Sequence, residues 1–497
     1  MTEVQTGKLV RSKGLARLAF ILFVALALRL GAFAFFYQAN PAGIRYPDTH
    51  TYEEPALAFL AHGKFSDRPD LPDVPMLLRT PGYPAFIAGV YAVFGPNEVA
   101  LVVMQIILSL GTISLVWWIS RQLWPEAASL AAAAWLAVDY LSLFYTQLLL
   151  SETLFTFWFV LALALGTAFL LEEKPQIGLA LLFGFAVAVT AHVRPITYYA
   201  SPALLFGLLL ARRVLRLTWV DAARIAVAFS LPWVVLVAGW QLRNHLVAGT
   251  FQFSPVSGAL LALYHAVDAM EEARGIPLDQ GTQIVLRQVA EKASLSPEQL
   301  EQLSLSPMEP RVSGVSQAEI YEHYGAVGAA ILKENAAGFA AVMAKHVVPL
   351  LFGPGQDTIL DFTGTPQSAG NPVSDLAYAL KTGSFTHFKL IWLEQYPWTF
   401  ALLLVSVVQV MLLTFFAGVG VVASRGENGR RQLCHLLLLG SMLYMLALAL
   451  GIGHSRHRVP CIPVLVLYAG YGLHCCYLWR CSRRPAANSM PAGTNGL

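Results

Sequence analysis

Charge and cysteine are what this sequence has least of. Only 13% of its 497 residues are Asp, Glu, Lys or Arg, against about a quarter in a soluble domain. That deficit excludes an ordinary water-soluble globule and points to surface facing lipid. The formal net charge is only +3 and no long basic run occurs, so no nucleic-acid partner is expected. The 5 cysteines are Cys434, Cys461, Cys475, Cys476 and Cys481. None falls in the polar stretch 242–397, so that region is not stapled by disulfides, and no spacing matches a cysteine metal site.

What the chain has in quantity is apolar run length. A spanning helix needs about 20 mostly apolar residues. Runs at 18–36, 98–120, 127–146, 151–171, 176–193, 197–211, 222–241, 398–424, 433–451 and 459–478 read as spans. The basic residues Lys8, Arg11, Lys13 and Arg17 precede the first run as they would a signal peptide. That run is long for a signal core and lacks a small-residue cleavage site, so it reads as a retained span.

The positive-inside rule tests this reading. Starting from a cytoplasmic N-terminus, the inner connections hold Arg121, Lys174, Arg212, Arg213, Arg216, Arg224, Arg425, Arg430, Arg431, Arg480, Arg483 and Arg484. The short outer connections hold only Arg194, Arg456 and Arg458. The run Gly338–Leu351 contains Lys345 and His346; counting it as a span would reverse the last loops, so it reads as interfacial or re-entrant. The expectation is an all-α polytopic membrane protein with about 10–12 transmembrane helices and amphipathic helices on its outer face. Residues 1–241 form an N-terminal module with a first outer loop at 37–97. Residues 242–397 form an outer helical cap, in which Ser296–Gln299 and Ser316–Glu319 read as capping boxes. Residues 398–497 return to the membrane and end in a short cytoplasmic tail.

Ionisable residues near membrane depth are costly and mark function by default. On this topology Asp48, Glu152, Arg194, Arg243, His454, Arg456 and Arg458 all fall on the outer side. Asp48 could act as a general base toward a hydroxyl, or could simply cap the helix that follows. Glu152 could serve a substrate, or could sit at its helix start for the dipole. Guanidinium groups bind phosphate bidentately, so the outer arginines suggest a phosphate site; snorkelling to lipid headgroups is the plainer alternative. His50, Tyr52, Arg79, Tyr83 and His454 are candidate pocket residues, with His50 a weak metal-ligand candidate. Arg29, inside the first span, either reaches the site or pairs helix to helix.

Five stretches, in order along the chain, resemble the GT-C glycosyltransferases: Asp48-Thr49-His50-Thr51-Tyr52 with Gly63-Lys64-Phe65, then Arg79-Thr80-Pro81-Gly82-Tyr83-Pro84, Ser151-Glu152-Thr153-Leu154-Phe155, Arg243-Asn244, and Arg456-His457-Arg458-Val459-Pro460. Within that superfamily the chain looks most like bacterial relatives of aminoarabinose transferase and protein O-mannosyltransferase. The resemblance implies an inverting transfer of a sugar from a polyprenyl-phosphate donor to a hydroxyl acceptor in the cell envelope, at the outer face of the cytoplasmic membrane. It implies catalytic acids at Asp48 and Glu152 and donor-phosphate contacts from Arg194, Arg243, Arg456 and Arg458. No organic cofactor is implied; some relatives use a divalent metal and others do not. Thr49 follows Asp48, so the Asp-Glu pair of many mannosyltransferases is missing. Two other classes fit the charges: a ligase or polymerase of the O-antigen type using a diphosphate donor, and a lipid or solute transporter, although no internal repeat is present.

Overall fold

A computed structural model describes residues 3–174, 176–370, 372–427 and 429–482; Arg483, Arg484 and the rest of the tail lie outside these. The described chain is helical throughout, apart from one antiparallel hairpin that pairs Ser66–Arg68 with Leu71–Pro75. It is an all-α polytopic membrane protein. Seven helices are long and apolar enough to cross a membrane: Lys13–Gln38, Glu98–Leu123, Glu152–Leu171, Trp219–Ala248, Pro397–Ala423, Arg430–Ala449 and Ser455–Ser482.

The other three runs are broken or short. Run 127–146 forms two helices, Glu126–Val138 and Tyr140–Gln147, bent by 49°. The break has a local cause: Asp139 is extended, and its carboxylate accepts from the Ser142 N–H at 2.8 Å, starting a second helix. Helix Ile177–Val193 has 17 residues, and the helix within run 197–211, Ala200–Leu210, has 11. At 1.5 Å per residue the latter covers about 16 Å, half of a hydrocarbon core. The apolar run near 338–351 lies in helix Ala336–Phe352, which meets helix Gln317–Glu334 at 95°. Those two helices therefore cannot form one straight span.

The last helix is central. Helix Ile462–Ser482 packs against both Pro397–Ala423 and Glu126–Val138. Gly420 and Gly472 face each other there. A Cβ on Gly420 would come within 1.9 Å of the Tyr468 carbonyl oxygen, and one on Gly472 within 2.0 Å of that of Phe416. Close backbone approach through small residues is how helices pack where lipid supplies no hydrophobic drive. Arg29 is fully buried in the first helix and donates to Ser109 Oγ at 2.9 Å and to the Ala137 carbonyl at 2.9 Å. It ties helix to helix.

Helices between 256 and 331 bury a second apolar cluster, which includes Ala262, Val285, Val289, Leu303, Tyr324 and Val327 and takes in Leu77 and Leu78 from the first loop. Ser296 opens helix Pro297–Leu305 with a complete capping box. Ser316 opens Gln317–Glu334 differently: its side chain accepts from the Ala318 N–H, and the reciprocal Glu319 bond is not made.

Candidate active site

The segment Leu148–Ser151, between helices Tyr140–Gln147 and Glu152–Leu171, is the base on which the site is built. Gln105, buried in helix Glu98–Leu123, donates to the carbonyls of Thr146 and Leu148. Its own carbonyl oxygen accepts from Tyr83 Oη at 2.8 Å. The first loop is laced to the same segment. Leu149 N–H donates to the Ile44 carbonyl, and Thr49 Oγ1 donates to the Leu149 carbonyl at 3.1 Å. Asp48 is thereby set beside the start of the helix that carries Glu152. Asp48 is no helix cap, because helix His50–His62 has Thr49 at its N-cap and no side-chain capping bond.

Three arginines close around these two carboxylates. Arg456 Nη1 reaches Asp48 Oδ2 at 3.0 Å, while its Nε donates to Glu152 Oε1. Arg194 Nη1 donates to the same Glu152 oxygen at 2.7 Å. Arg194 is extended because Pro195 follows it, which ends helix Ile177–Val193 there and turns the side chain inward. Arg79 Nη2 lies 3.3 Å from Asp48 Oδ1, its Nε donates to Thr51 Oγ1, and its guanidinium sits 4.5 Å from the centre of the Tyr52 ring. Tyr52 and Tyr83 meet edge to face at 5.2 Å.

The Arg79 to Tyr83 stretch holds its place through Gly82. A Cβ there would come within 2.6 Å of the main chain at His192, so this helix start abuts the end of helix Ile177–Val193. Glu152 is fully buried, and no described group hydrogen-bonds to its Oε2. Asp48 is part-buried. Burial opposes its charge, but Arg79 and Arg456 outweigh that and hold the carboxyl below the usual aspartate range.

The remaining candidates lie apart from this cluster. Arg243 donates to the carbonyls of Met76 and Phe65, flanking the hairpin. Arg458 is buried and donates to the carbonyls of Leu350 and Gly353. Both guanidiniums are thus engaged with main chain. His50 is exposed and contacts Glu309 at 3.1 Å beside a cleft lined also by Glu54, Asp67 and Arg79. His454 contacts Asp357 and the main chain of Arg456.

Sequence reasoning assigned no role to Gln105, Thr49 or Asp357. Gln105 carried a signal, being a lone amide within an apolar run. Thr49 lies at a helix start and Asp357 in the first turn of a short helix, where nothing marks a partner. Asp48 and Glu152 face guanidiniums, and no group of three or more His, Cys, Asp or Glu side chains among the described residues could hold a metal ion.

Residues 73–238 match the family model described as dolichyl-phosphate-mannose-protein mannosyltransferase. This chain resembles a GT-C glycosyltransferase. The matched region contains Arg79, Tyr83, Glu152 and Arg194; Asp48 and Arg456 lie outside it. No curated protein matches the chain. Among solved structures, archaeal oligosaccharyltransferase AglB from Archaeoglobus fulgidus, in complex with an inhibitory peptide and a dolichol-phosphate, aligns at TM-score 0.48 and 14% identity, over 97% of this chain and 53% of that one. The Archaeoglobus fulgidus oligosaccharyltransferase tethered to an acceptor peptide aligns at TM-score 0.41 and 13% identity, over 96% and 52%. The same enzyme with Zn and sulfate aligns at TM-score 0.37 and 13% identity, over 94% and 55%. The chain spans about half the length of these structures.

Proposed function

We propose that the protein is an inverting glycosyltransferase, moving a sugar from a polyprenyl-phosphate donor to a hydroxyl acceptor at the non-cytoplasmic face of the membrane. The observation that carries this is the charge of the contacting cluster. Arg79, Arg194 and Arg456 stand against Asp48 and Glu152, so one positive charge is in excess. A phosphodiester-linked sugar carries one negative charge and would neutralise it; a diphosphate carries two. The family description, which names a dolichyl-phosphate sugar, supports the donor class. The outer-face assignment rests on the distribution of arginines between connections.

In this reading Arg194 and Arg456 take the donor phosphate, exchanging part of their contact with Glu152 and Asp48 for phosphate oxygens. Glu152 Oε2, buried and without a partner, is free to accept from a substrate hydroxyl. The acceptor oxygen forms its bond to the anomeric carbon from the face opposite the phosphate. The bond to the phosphate oxygen breaks, and its electron pair leaves with the lipid phosphate, which the arginines stabilise. The hydroxyl proton passes to Asp48 and then to solvent. Held ionised by Arg79 and Arg456, Asp48 is a weak base that orients the hydroxyl and takes its proton late. That suits a transition state dominated by carbon–oxygen cleavage.

The test is transfer by the purified full chain from a polyprenyl-phosphate sugar, with the anomeric configuration of the product determined. Asp48→Asn should abolish transfer while leaving expression and membrane insertion intact. Undiminished transfer by that variant, or a polyprenyl-diphosphate sugar copurifying with the wild type, would overturn the reading.

A further inference from the structure

Among the described residues Arg456 is the one side chain that touches both carboxylates, so whatever fixes its position governs the site. It lies in a short 3-10 turn, Ser455–Cys461, between helices Arg430–Ala449 and Ile462–Ser482. Such a turn has few hydrogen bonds of its own, and a guanidinium on a long side chain amplifies any motion at its root. Two groups outside the turn fix that root. The first is His454, whose Nδ1 accepts from the Arg456 N–H at 3.0 Å. The second is Asp357 on helix Gln356–Thr363, whose Oδ2 lies 3.2 Å from His454 Nε2.

These contacts determine the tautomer. A ring nitrogen that accepts from a main-chain N–H carries no proton. Nδ1 is therefore bare, Nε2 carries the hydrogen, and that hydrogen is donated to Asp357. A carboxylate on one nitrogen is the usual way a protein selects the form of the other. The hydrogen bond from His454, more than any other effect, holds the Asp357 carboxyl below its ordinary range against partial burial. The seat of Asp357 is itself fixed from the same turn: Arg458 Nη1 and Nη2 donate to the carbonyls of Leu350 at 3.0 Å and Gly353 at 2.8 Å. Segment 350–357 is thus stitched to turn 454–458 at two places, on either side of Arg456. From the far side, His346 Nδ1 lies 3.1 Å from the Leu450 carbonyl oxygen, just before the turn.

We propose that Asp357 and His454 form a positioning relay: Asp357 selects the Nε2–H tautomer of His454, and the bare Nδ1 holds the Arg456 main chain so that its guanidinium bridges Asp48 and Glu152. Neither relay residue touches substrate. The role in turnover rests on the transferase reading; the tautomer does not.

The experiment has two arms on the full-length protein. In the first, histidine-15N NMR, with His454 assigned from its absence in His454→Asn, reports the tautomer at neutral pH. The relay requires the neutral Nε2–H form in the wild type and a lower population of it in Asp357→Ala, where only the Arg456 N–H still selects it. A cationic ring, or the Nδ1–H form in the wild type, overturns it. In the second arm, Asp357→Ala and His454→Ala lower donor kcat/KM by about three- to tenfold, the effect of one main-chain hydrogen bond, with acceptor KM unchanged. Asp357→Asn, whose amide oxygen still accepts from Nε2–H, and His454→Asn, whose side-chain oxygen replaces Nδ1, recover most of the loss. Equal loss in the alanine and asparagine variants overturns the relay. If the wild type shows the tautomer and its dependence on Asp357 yet transfers no sugar, the relay stands and the transferase reading fails.

Discussion

Arg456 Nη1 lies 3.0 Å from the carboxylate of Asp48 across 408 residues of chain. The same guanidinium donates through Nε to Glu152, so one planar group joins the two acids. Lysine cannot reproduce this, because its ammonium is a point charge on a flexible stem. Arg456→Lys should therefore keep the net charge of the site and lose transfer by roughly 100-fold, the scale of removing one oriented donor from a charge-stabilising site. Initial rates at saturating donor decide the matter. A fall of less than about threefold, below the effect of a single charge-assisted hydrogen bond, would remove Arg456 from the mechanism.

Asp48 predicts the acid side of the pH profile. In the unfolded chain its carboxyl titrates at the ordinary value of 3.8; in the folded protein Arg79 and Arg456 lower it. A depressed carboxylate contributes stability that is complete above the unfolded value and is lost as pH falls through the folded one. No step from Asp48 is thus expected near neutrality. Arg79→Gln removes one lowering charge and should move the acid limb of kcat/KM to higher pH. An unmoved limb would show that Asp48 does not set it.

Arg243 separates a structural arginine from a substrate-binding one. Its donors hold main-chain oxygens at Phe65 and Met76, so Arg243→Ala should cost about 1–3 kcal/mol of stability through orphaned carbonyls. The expected result is a lower thermal midpoint in detergent with an unchanged donor KM. A raised donor KM at an unchanged midpoint would place it at the phosphate instead.

The pairing of Asp48 and Glu152 with guanidiniums leaves no three-ligand set for an ion among the described residues. Treatment with a strong chelator, followed by desalting, should leave the transfer rate unchanged. Restoration of a lost rate by added Mg²⁺ or Mn²⁺ would sink this expectation.

The sequence made the helical class and seven of the spans legible, and it marked out the acids and arginines that the structure brings together, for one physical reason. Apolar run length and misplaced charge are both large free-energy signals. Asp48, Glu152, Arg194 and Arg456 stood out because charges near lipid demand partners, and the structure supplies those partners from one another. Arg243 and Arg458 gave the same signal for a different cause, since a buried guanidinium is as well satisfied by carbonyls as by phosphate. Tyr140 and Asp139 mark where run length misleads: one aspartate cap divides an apolar run into two helices. Thr49 was hidden because its contact is to main chain, which leaves no complementary residue type to look for.

The central position of helix Ile462–Ser482, seated through Gly420 and Gly472, sets a timetable for biogenesis. Synthesis runs from residue 48 toward residue 456, so both acids are made and inserted long before the arginine that joins them. Until the last hairpin of spans slots into the bundle, Glu152 has only Arg194 among its arginine partners, and Asp48 only Arg79. A nascent chain stalled before residue 456 would hold an incomplete site however well its earlier helices were inserted. Completion of the acid–arginine cluster therefore waits on the turn that precedes the last helix.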